Sequence, residues 1–160
     1  MTATDHATEP LADRQLVITR EYDVPARLLF EAWSKPEHLM RWFGPEGYPL
    51  TMCEVDFRVG GRFRFAMTGP DGVQNTPFGG EYREIVPNEK IVFTDRFELP
   101  DAAELVMTVT FDEHDGKTTQ TVTTIFPTAE VKEEHVAMGM EAGFNSSFDQ
   151  LAGVVAQLMR

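Results

Sequence analysis

The chain has 160 residues, 42% of them hydrophobic and 25% charged, a balance that is typical of a globular domain and excludes a wholly disordered or fibrous chain. Fourteen Lys and Arg against 26 Asp and Glu give a formal net charge of −12, which disfavours nucleic acid and anionic membrane surfaces as partners. A single cysteine, Cys53, excludes an intramolecular disulfide and a cysteine-rich zinc site.

Two features of the chain bear on where the protein works. No apolar run approaches the roughly 20 residues that a helix needs to cross a bilayer. The polar N-terminus also lacks the basic and apolar regions of a signal peptide. We therefore predict a cytoplasmic protein with no membrane insertion.

The N-terminal residues differ in character from the rest of the chain. Residues 1–13 mix Thr, Asp, Glu, Ala and Pro without an apolar period, which predicts a flexible tail ahead of a single domain over residues 14–160. From Gln15 to Asp23, Leu16 and Ile18 alternate with polar residues. This period of two predicts a half-buried first strand.

Two prolines mark the starts of two short helices. Pro25 precedes Leu29 and Trp33, which share one helical face. Pro36 begins a second helix, and Gly44 ends it. The acidic chain and the aromatic second helix argue against a helix-turn-helix that reads DNA.

Six further strands follow the helical pair. They are predicted over residues 49–57, 62–67, 79–86, 91–98, 104–113 and 117–126. Gly60 and Gly61 are predicted to form a two-residue hairpin turn of the kind that needs positive φ. The connections are too short for parallel crossovers, so we predict an antiparallel meander joined by the first strand.

After Phe126 the apolar period returns to that of a helix. The stripe consists of Val136, Met140, Phe144, Phe148, Leu151, Val155 and Leu158. One helix over residues 131–159 would be roughly 40 Å long, enough to cross the sheet. Gly139 and Gly143 lie inside it and predict either an internal space or close packing of the helix backbone against a strand.

Four segments of the chain carry a family resemblance in combination. They are VPARLLFEAWSKPEHLMRWFGP at 24–45, FRVGGRFRF at 57–65, GGEYREIVPNEKIVFT at 79–94 and GFNSSFDQLAGVV at 143–155. In this order they resemble the START/Bet v-type superfamily called SRPBCC, and within it the branch named for homology with the activator of the heat-shock chaperone ATPase. The resemblance implies an α+β helix-grip fold, β-α-α-β6-α, in which a curved antiparallel sheet surrounds a long C-terminal helix.

The aromatic residues are either solid core or the lining of a cavity. Composition alone favours solid core, whereas the resemblance implies a pocket between sheet and long helix and favours lining for several of them. We expect the cavity wall to include Trp33, Trp42, Phe65, Phe93, Met107, Met140 and Phe144.

Motifs for familiar chemistry are absent from the sequence. The four histidines lack metal-ligand spacing, and HEXXH, GXSXG, GXGXXG and the phosphate loop do not occur, so no metal and no cofactor are predicted. Asp95 and Tyr82 are the candidates for a catalytic acid or base, because each shares strand parity with inward-facing neighbours. A carboxylate buried among aromatics would have a raised pKa, whereas an ion pair with a nearby arginine would lower it.

Three functions remain open at this point. The leading hypothesis is a domain that binds a small hydrophobic or amphipathic molecule and has no chemistry of its own. The superfamily also implies an enzyme of the polyketide cyclase or aromatase type using Asp95 or Tyr82, and the branch name implies a module associated with a chaperone ATPase. The oligomeric state stays open, a homodimer included, because an exposed apolar patch and a pocket wall have the same composition.

Overall fold

A computed structural model describes residues 9–160 of the chain. It contains seven strands and four α-helices, with two helices after the last strand where one was predicted. Their bounds are β1 Gln15–Tyr22, α1 Ala26–Ser34, α2 Pro36–Trp42, β2 Leu50–Val55, β3 Arg62–Met67, β4 Phe78–Val86, β5 Lys90–Phe97, β6 Leu105–His114, β7 Lys117–Ile125, α3 Ala129–Ala137 and α4 Met140–Leu158.

The seven strands form one antiparallel sheet in the order β1-β7-β6-β5-β4-β3-β2. Strands β2 to β7 are a meander, and β1 joins its end by pairing with β7 from Gln15 opposite Ile125 to Tyr22 opposite Thr118. Hairpin-length connections allow only antiparallel pairing between consecutive strands. The predicted α+β helix-grip class, with its antiparallel sheet and C-terminal helix, is confirmed.

The predicted two-residue turn at Gly60 and Gly61 is wrong in detail. Strand β2 ends at Val55 and β3 begins at Arg62, so the connection spans residues 56–61. Of these two glycines, only Gly60 has positive φ, at 86°. Gly61 is needed for a different reason, because a Cβ there would collide with the carbonyl oxygen of Asp56.

The predicted single helix over residues 131–159 is also wrong, because the chain breaks it into α3 and α4. Gly139 lies between the two helices with φ of 90°, a left-handed conformation that ends a helix and that glycine adopts without strain. Helix α4 alone is therefore roughly 28 Å long, from 19 residues at about 1.5 Å each. Val136 lies on α3 and is exposed, while Phe148 and Leu151 on α4 are fully buried.

Both tryptophans lie where α1, α2 and α4 meet the sheet. Their ring centroids are 4.8 Å apart, and the ring of Phe148 lies 6.3 Å from Trp33. Trp33 Nε1 donates to Oε1 of the buried Gln120 on β7, and Trp42 Nε1 donates to the carbonyl oxygen of Ala32. Buried indole N–H groups need such partners, so these bonds hold the short helices in one position on the core.

Residues 1–8 of the predicted flexible tail lie outside the described residues. Leu11–Asp13 form a short 3₁₀ helix, and the Glu9 carboxylate accepts a hydrogen bond of 2.9 Å from the backbone N–H of Ala129. That N–H lies in the first turn of α3, where helical N–H groups have no intrahelical partner. The domain boundary at residue 14 stays a prediction.

None of the helices within residues 9–160 is long and apolar enough to cross a membrane.

Candidate functional site

An inner cavity lies between the sheet and the helices. Its walls come from α1, α2, the segment after α2, strands β3 to β6 and α4. They are Trp33, Leu39, Phe43, Phe63, Phe65, Phe78, Tyr82, Ile91, Phe93, Asp95, Met107 and Phe144. Its volume is about 30 Å³, which holds a water or two and no organic molecule. The aromatic side chains have therefore filled most of this part of the core.

A second, outer cavity of about 280 Å³ lies beside the inner one, at the junction of α3 and α4. It is lined by Phe43, Gly44, Pro45, Met67, Phe78, Asp95, Phe97, Leu105, His135, Met138, Gly139, Met140, Gly143, Phe144 and Ser147. Met138 is 68% exposed and Phe97 38% exposed, so the outer cavity opens to solvent beside them. Its size is near the lower limit of small-molecule pockets, which start at roughly 300 Å³.

The two cavities adjoin at four side chains that line both of them. These side chains are Phe43, Phe78, Asp95 and Phe144. The rings of Phe43 and Phe78 are 6.1 Å apart, and Phe144 stacks on Phe148 with centroids 5.6 Å apart. These side chains form the boundary between the two spaces.

The structure brings most of the predicted wall residues together. Five of the seven line the inner cavity, namely Trp33, Phe65, Phe93, Met107 and Phe144. Met140 lines the outer cavity together with Phe144. Trp42 lines neither, because its ring packs between the rings of Trp33, Phe43 and Phe148. A sequence pattern that marks Trp42 as inward-facing cannot tell packing from lining.

Asp95 is the carboxyl group of the site. It lies near the end of β5, opposite Leu105 of β6, and it lines both cavities. Its Oδ1 atom is buried and has no hydrogen-bond partner. Burial among apolar side chains raises the pKa of Asp95 to about 7, and a hydrogen bond from the backbone of Arg96 opposes this rise. The carboxyl group can therefore gain or lose a proton near neutral pH.

Tyr82, the second catalytic candidate, lies deeper in the inner cavity. Its ring is 4% exposed and packs against Phe57, Phe63 and Phe93 with centroids 5.0 to 6.3 Å apart. Burial raises the pKa of the phenol, and Cys53 adds to the rise. Tyr82 is therefore an uncharged member of the wall at neutral pH.

Sequence reasoning missed two polar residues of the outer cavity. His135 on α3 places Nδ1 2.9 Å from the carbonyl oxygen of Val131, so Nδ1 carries the proton of that hydrogen bond. Ser147 on α4 accepts a hydrogen bond of 3.1 Å from the backbone N–H of Gly44. Gly139 was the sequence signal that could have pointed to this cavity. A glycine after a helical stretch commonly ends a helix, and the cavity that His135 and Ser147 line lies at the resulting junction of α3 and α4.

Gly139, which precedes α4, and Gly143 within α4 allow a choice between close packing against a strand and an open space beside the helix. A Cβ built on Gly139 or Gly143 meets no heavy atom within 4 Å, and both residues line the outer cavity. Close packing of the helix backbone against a strand is thus contradicted, and the space beside both glycines belongs to the outer cavity, which opens to solvent. The absent side chains leave room that any larger residue would occupy.

Among residues 9–160, no group of three or more His, Cys, Asp and Glu side chains is arranged to hold a metal ion. The outer cavity has instead one carboxyl, one imidazole and one hydroxyl group in an apolar wall. Such a site can bind an apolar molecule and form a few polar contacts with it.

Comparisons with known proteins bear on the same region of the chain. The family model described as Activator of Hsp90 ATPase homolog 1-like protein matches residues 23–156, which include every wall residue of both cavities. A search of curated protein sequences found no significant match.

Solved structures with the same fold come from several bacteria. A protein from Nitrosomonas europaea is 26% identical with a TM-score of 0.82, and the match covers 92% of this chain and 97% of that one. A protein from Mycobacterium smegmatis is 28% identical with a TM-score of 0.82, covering 94% and 96%. The AHSA1 protein from Silicibacter pomeroyi is 24% identical with a TM-score of 0.75, covering 89% and 98%, a likeness of fold alone.

Proposed function

Since the chain belongs to the family of Activator of Hsp90 ATPase homolog 1-like proteins, and one scaffold serves many functions, we propose from its own cavities that it binds a small hydrophobic or amphipathic molecule. The observation that carries the proposal is the outer cavity, with about 280 Å³ of space, an opening beside Met138 and Phe97, and a mostly apolar wall. Burial of apolar ligand surface there would supply the affinity.

The walls of the outer cavity are suited to a ligand that is held by shape and aromatic contact. Phe43, Phe78, Phe97 and Phe144 present rings to it, and Met67, Met138 and Met140 add flexible side chains that adapt to a ligand's outline. The inner cavity is too small for a ligand, so an apolar end could enter it only by moving Phe43, Phe78 or Phe144.

Native mass spectrometry of freshly purified protein tests the proposal. A mass excess that disappears on denaturation, or uptake of small apolar compounds from a panel, would support binding. A clean mass with no uptake would contradict it and would favour action through the protein surface, including contact with a chaperone.

A second candidate is an enzyme of the polyketide cyclase or aromatase type. The observation that favours it is Asp95, whose pKa of about 7 suits a general acid or base at neutral pH. Asp95→Asn and Tyr82→Phe should then each abolish or slow turnover of an aromatic polyketide substrate. Equal rates in the wild type and both variants, or no turnover by the wild type, would remove this candidate.

A further inference from the structure

The outer cavity contains an acidic side chain but no lysine or arginine among the described residues that line it. Its lining holds one carboxyl group, Asp95, one imidazole, His135, and one hydroxyl, Ser147. The whole chain adds to this imbalance with a formal net charge of −12. A carboxylate-headed ligand such as a fatty acid would therefore meet negative potential and no fixed cation.

One oxygen of the Asp95 carboxyl group accepts no hydrogen bond, although two other polar side chains line the same cavity. That oxygen, Oδ1, is buried, and the two side chains are Ser147 and His135. Ser147 accepts from the backbone N–H of Gly44 and keeps its own O–H as a donor, and the Nδ1–H of His135 is used by Val131, but neither side chain lies within hydrogen-bond distance of Oδ1. A buried acceptor without a donor is costly, and a donor brought in by a ligand would remove that cost.

The surrounding side chains suit a positively charged donor. Aromatic faces attract an ammonium group through their quadrupole, and four phenylalanines line the outer cavity. The desolvation of Asp95 has already occurred on folding, so binding would desolvate only the ligand's own head group.

We propose that the ligand of the outer cavity is a hydrophobic amine, whose N–H groups donate to the Asp95 carboxyl group while its apolar part packs on the phenylalanine and methionine side chains. This inference rests on the proposed function and specifies the chemical class of the ligand. The chemistry required is an aliphatic or arylalkyl amine that is protonated near neutral pH.

Proton linkage provides a further test of the inference. Burial raises the pKa of Asp95 to about 7, and a bound ammonium would lower it by stabilising the carboxylate. Amine binding should therefore release a proton, and affinity should rise from pH 5.5 to pH 7.5. Two other titratable groups face the two cavities, His135 from α3 and Tyr82 from β4, and His135→Gln separates the imidazole's contribution from that of Asp95.

The test uses three probes of similar size that differ in the head group: 2-naphthylmethylamine, 2-naphthylmethanol and 2-naphthoate. Binding to the full-length protein is measured by isothermal titration calorimetry at pH 7.5. A hydrogen bond to a charged group predicts that the amine binds about tenfold to a hundredfold more tightly than the alcohol, with the carboxylate weakest. In Asp95→Asn the amine should lose that advantage, whereas affinity for the alcohol should change less than about threefold.

The outcomes separate this inference from the function on which it rests. Equal affinity for amine and alcohol, or tightest binding of the carboxylate, would overturn the amine assignment and leave ligand binding intact. An amine preference that survives in Asp95→Asn would also overturn it. Failure of all three probes to bind would overturn both. The wild-type series needs no variant, so it decides the question even where Asp95→Asn folds poorly.

Discussion

Replacing Gly143 with leucine tests the outer cavity directly, because the new side chain grows into it. A Cβ on Gly143 meets no heavy atom within 4 Å, and the residue lies on α4 in the wall of the outer cavity. Gly153 lies later in the same helix, is exposed, and also has no heavy atom within 4 Å of its Cβ. Gly153→Leu is therefore the matched control for helix propensity without cavity filling.

The expected stability change follows from two contributions. Removing a helical glycine stabilises by about 0.5–1 kcal/mol in either variant. In Gly143→Leu alone, partial burial of the leucine against the cavity wall adds about 1 kcal/mol. At about 2–4 °C per kcal/mol for a chain of this size, Tm should rise by about 1–4 °C in Gly153→Leu and by about 3–8 °C in Gly143→Leu.

Ligand binding should weaken in the variant that gains more stability. Titration with 2-naphthylmethanol should show at least about a tenfold loss of affinity in Gly143→Leu, because the leucine occupies space that the ring needs. Gly153→Leu should bind as the wild type does. The reasoning fails if Gly143→Leu lowers Tm, which would mean that the side chain meets packed atoms, or if it binds the probe with wild-type affinity.

Three further predictions concern titration, local opening and the tryptophan contacts. The pKa of Asp95 is about 7 in the folded state and near 4 in the unfolded state, so the wild type should lose stability relative to Asp95→Asn as pH rises from about 4 to 7. The loss should be at most about 1.4 kcal/mol per pH unit. Urea unfolding across that range measures the stability difference, and a difference that stays constant with pH would contradict the prediction. Amide hydrogen exchange should be faster in α3, which has no buried residue, than around Phe148 and Leu151 of α4, and equal protection of both helices would be the contrary result. Trp33→Phe should lower the free energy of unfolding by about 1–3 kcal/mol beyond any packing loss, because it leaves Oε1 of the buried Gln120 without a partner. In denaturant titrations, the double variant Trp33→Phe/Gln120→Met should recover part of that loss, and no recovery would assign the loss to packing alone.

Local patterns in the sequence determined the elements and their order. The alternation around Leu16 and Ile18 predicted β1, Pro25 and Pro36 predicted the starts of two short helices, and the turn residues separated six strands. Each of these signals acts over a few neighbouring residues, so a single sequence carries it in full. The antiparallel pairing then followed from connection length, and the family resemblance supplied the helix-grip arrangement.

The break at Gly139 and the form of the Gly60–Gly61 connection needed the tertiary structure. A glycine inside an apolar helical stripe is compatible with a continuous helix, and the stripe from Met140 onward satisfied that pattern. Docking of α4 on the core while α3 remains exposed decides where the helix ends. For Gly61, the deciding atom is the carbonyl oxygen of Asp56, whose proximity depends on the path of the whole loop.

The site shows the same division between local and long-range information. Inward-facing aromatic residues could be chosen from strand parity and helical period, so Trp33, Phe65, Phe93 and Phe144 were found in the sequence and line a cavity in the structure. Which inward residue packs and which lines an open space depends on the separation of elements distant in the chain. For that reason Trp42, predicted for the wall, lines neither cavity, whereas His135 and Ser147 line the outer cavity without having been predicted. The sequence thus determined which side chains face the interior, and only the tertiary structure decided where the interior stays open and which carboxyl group lies there without a partner.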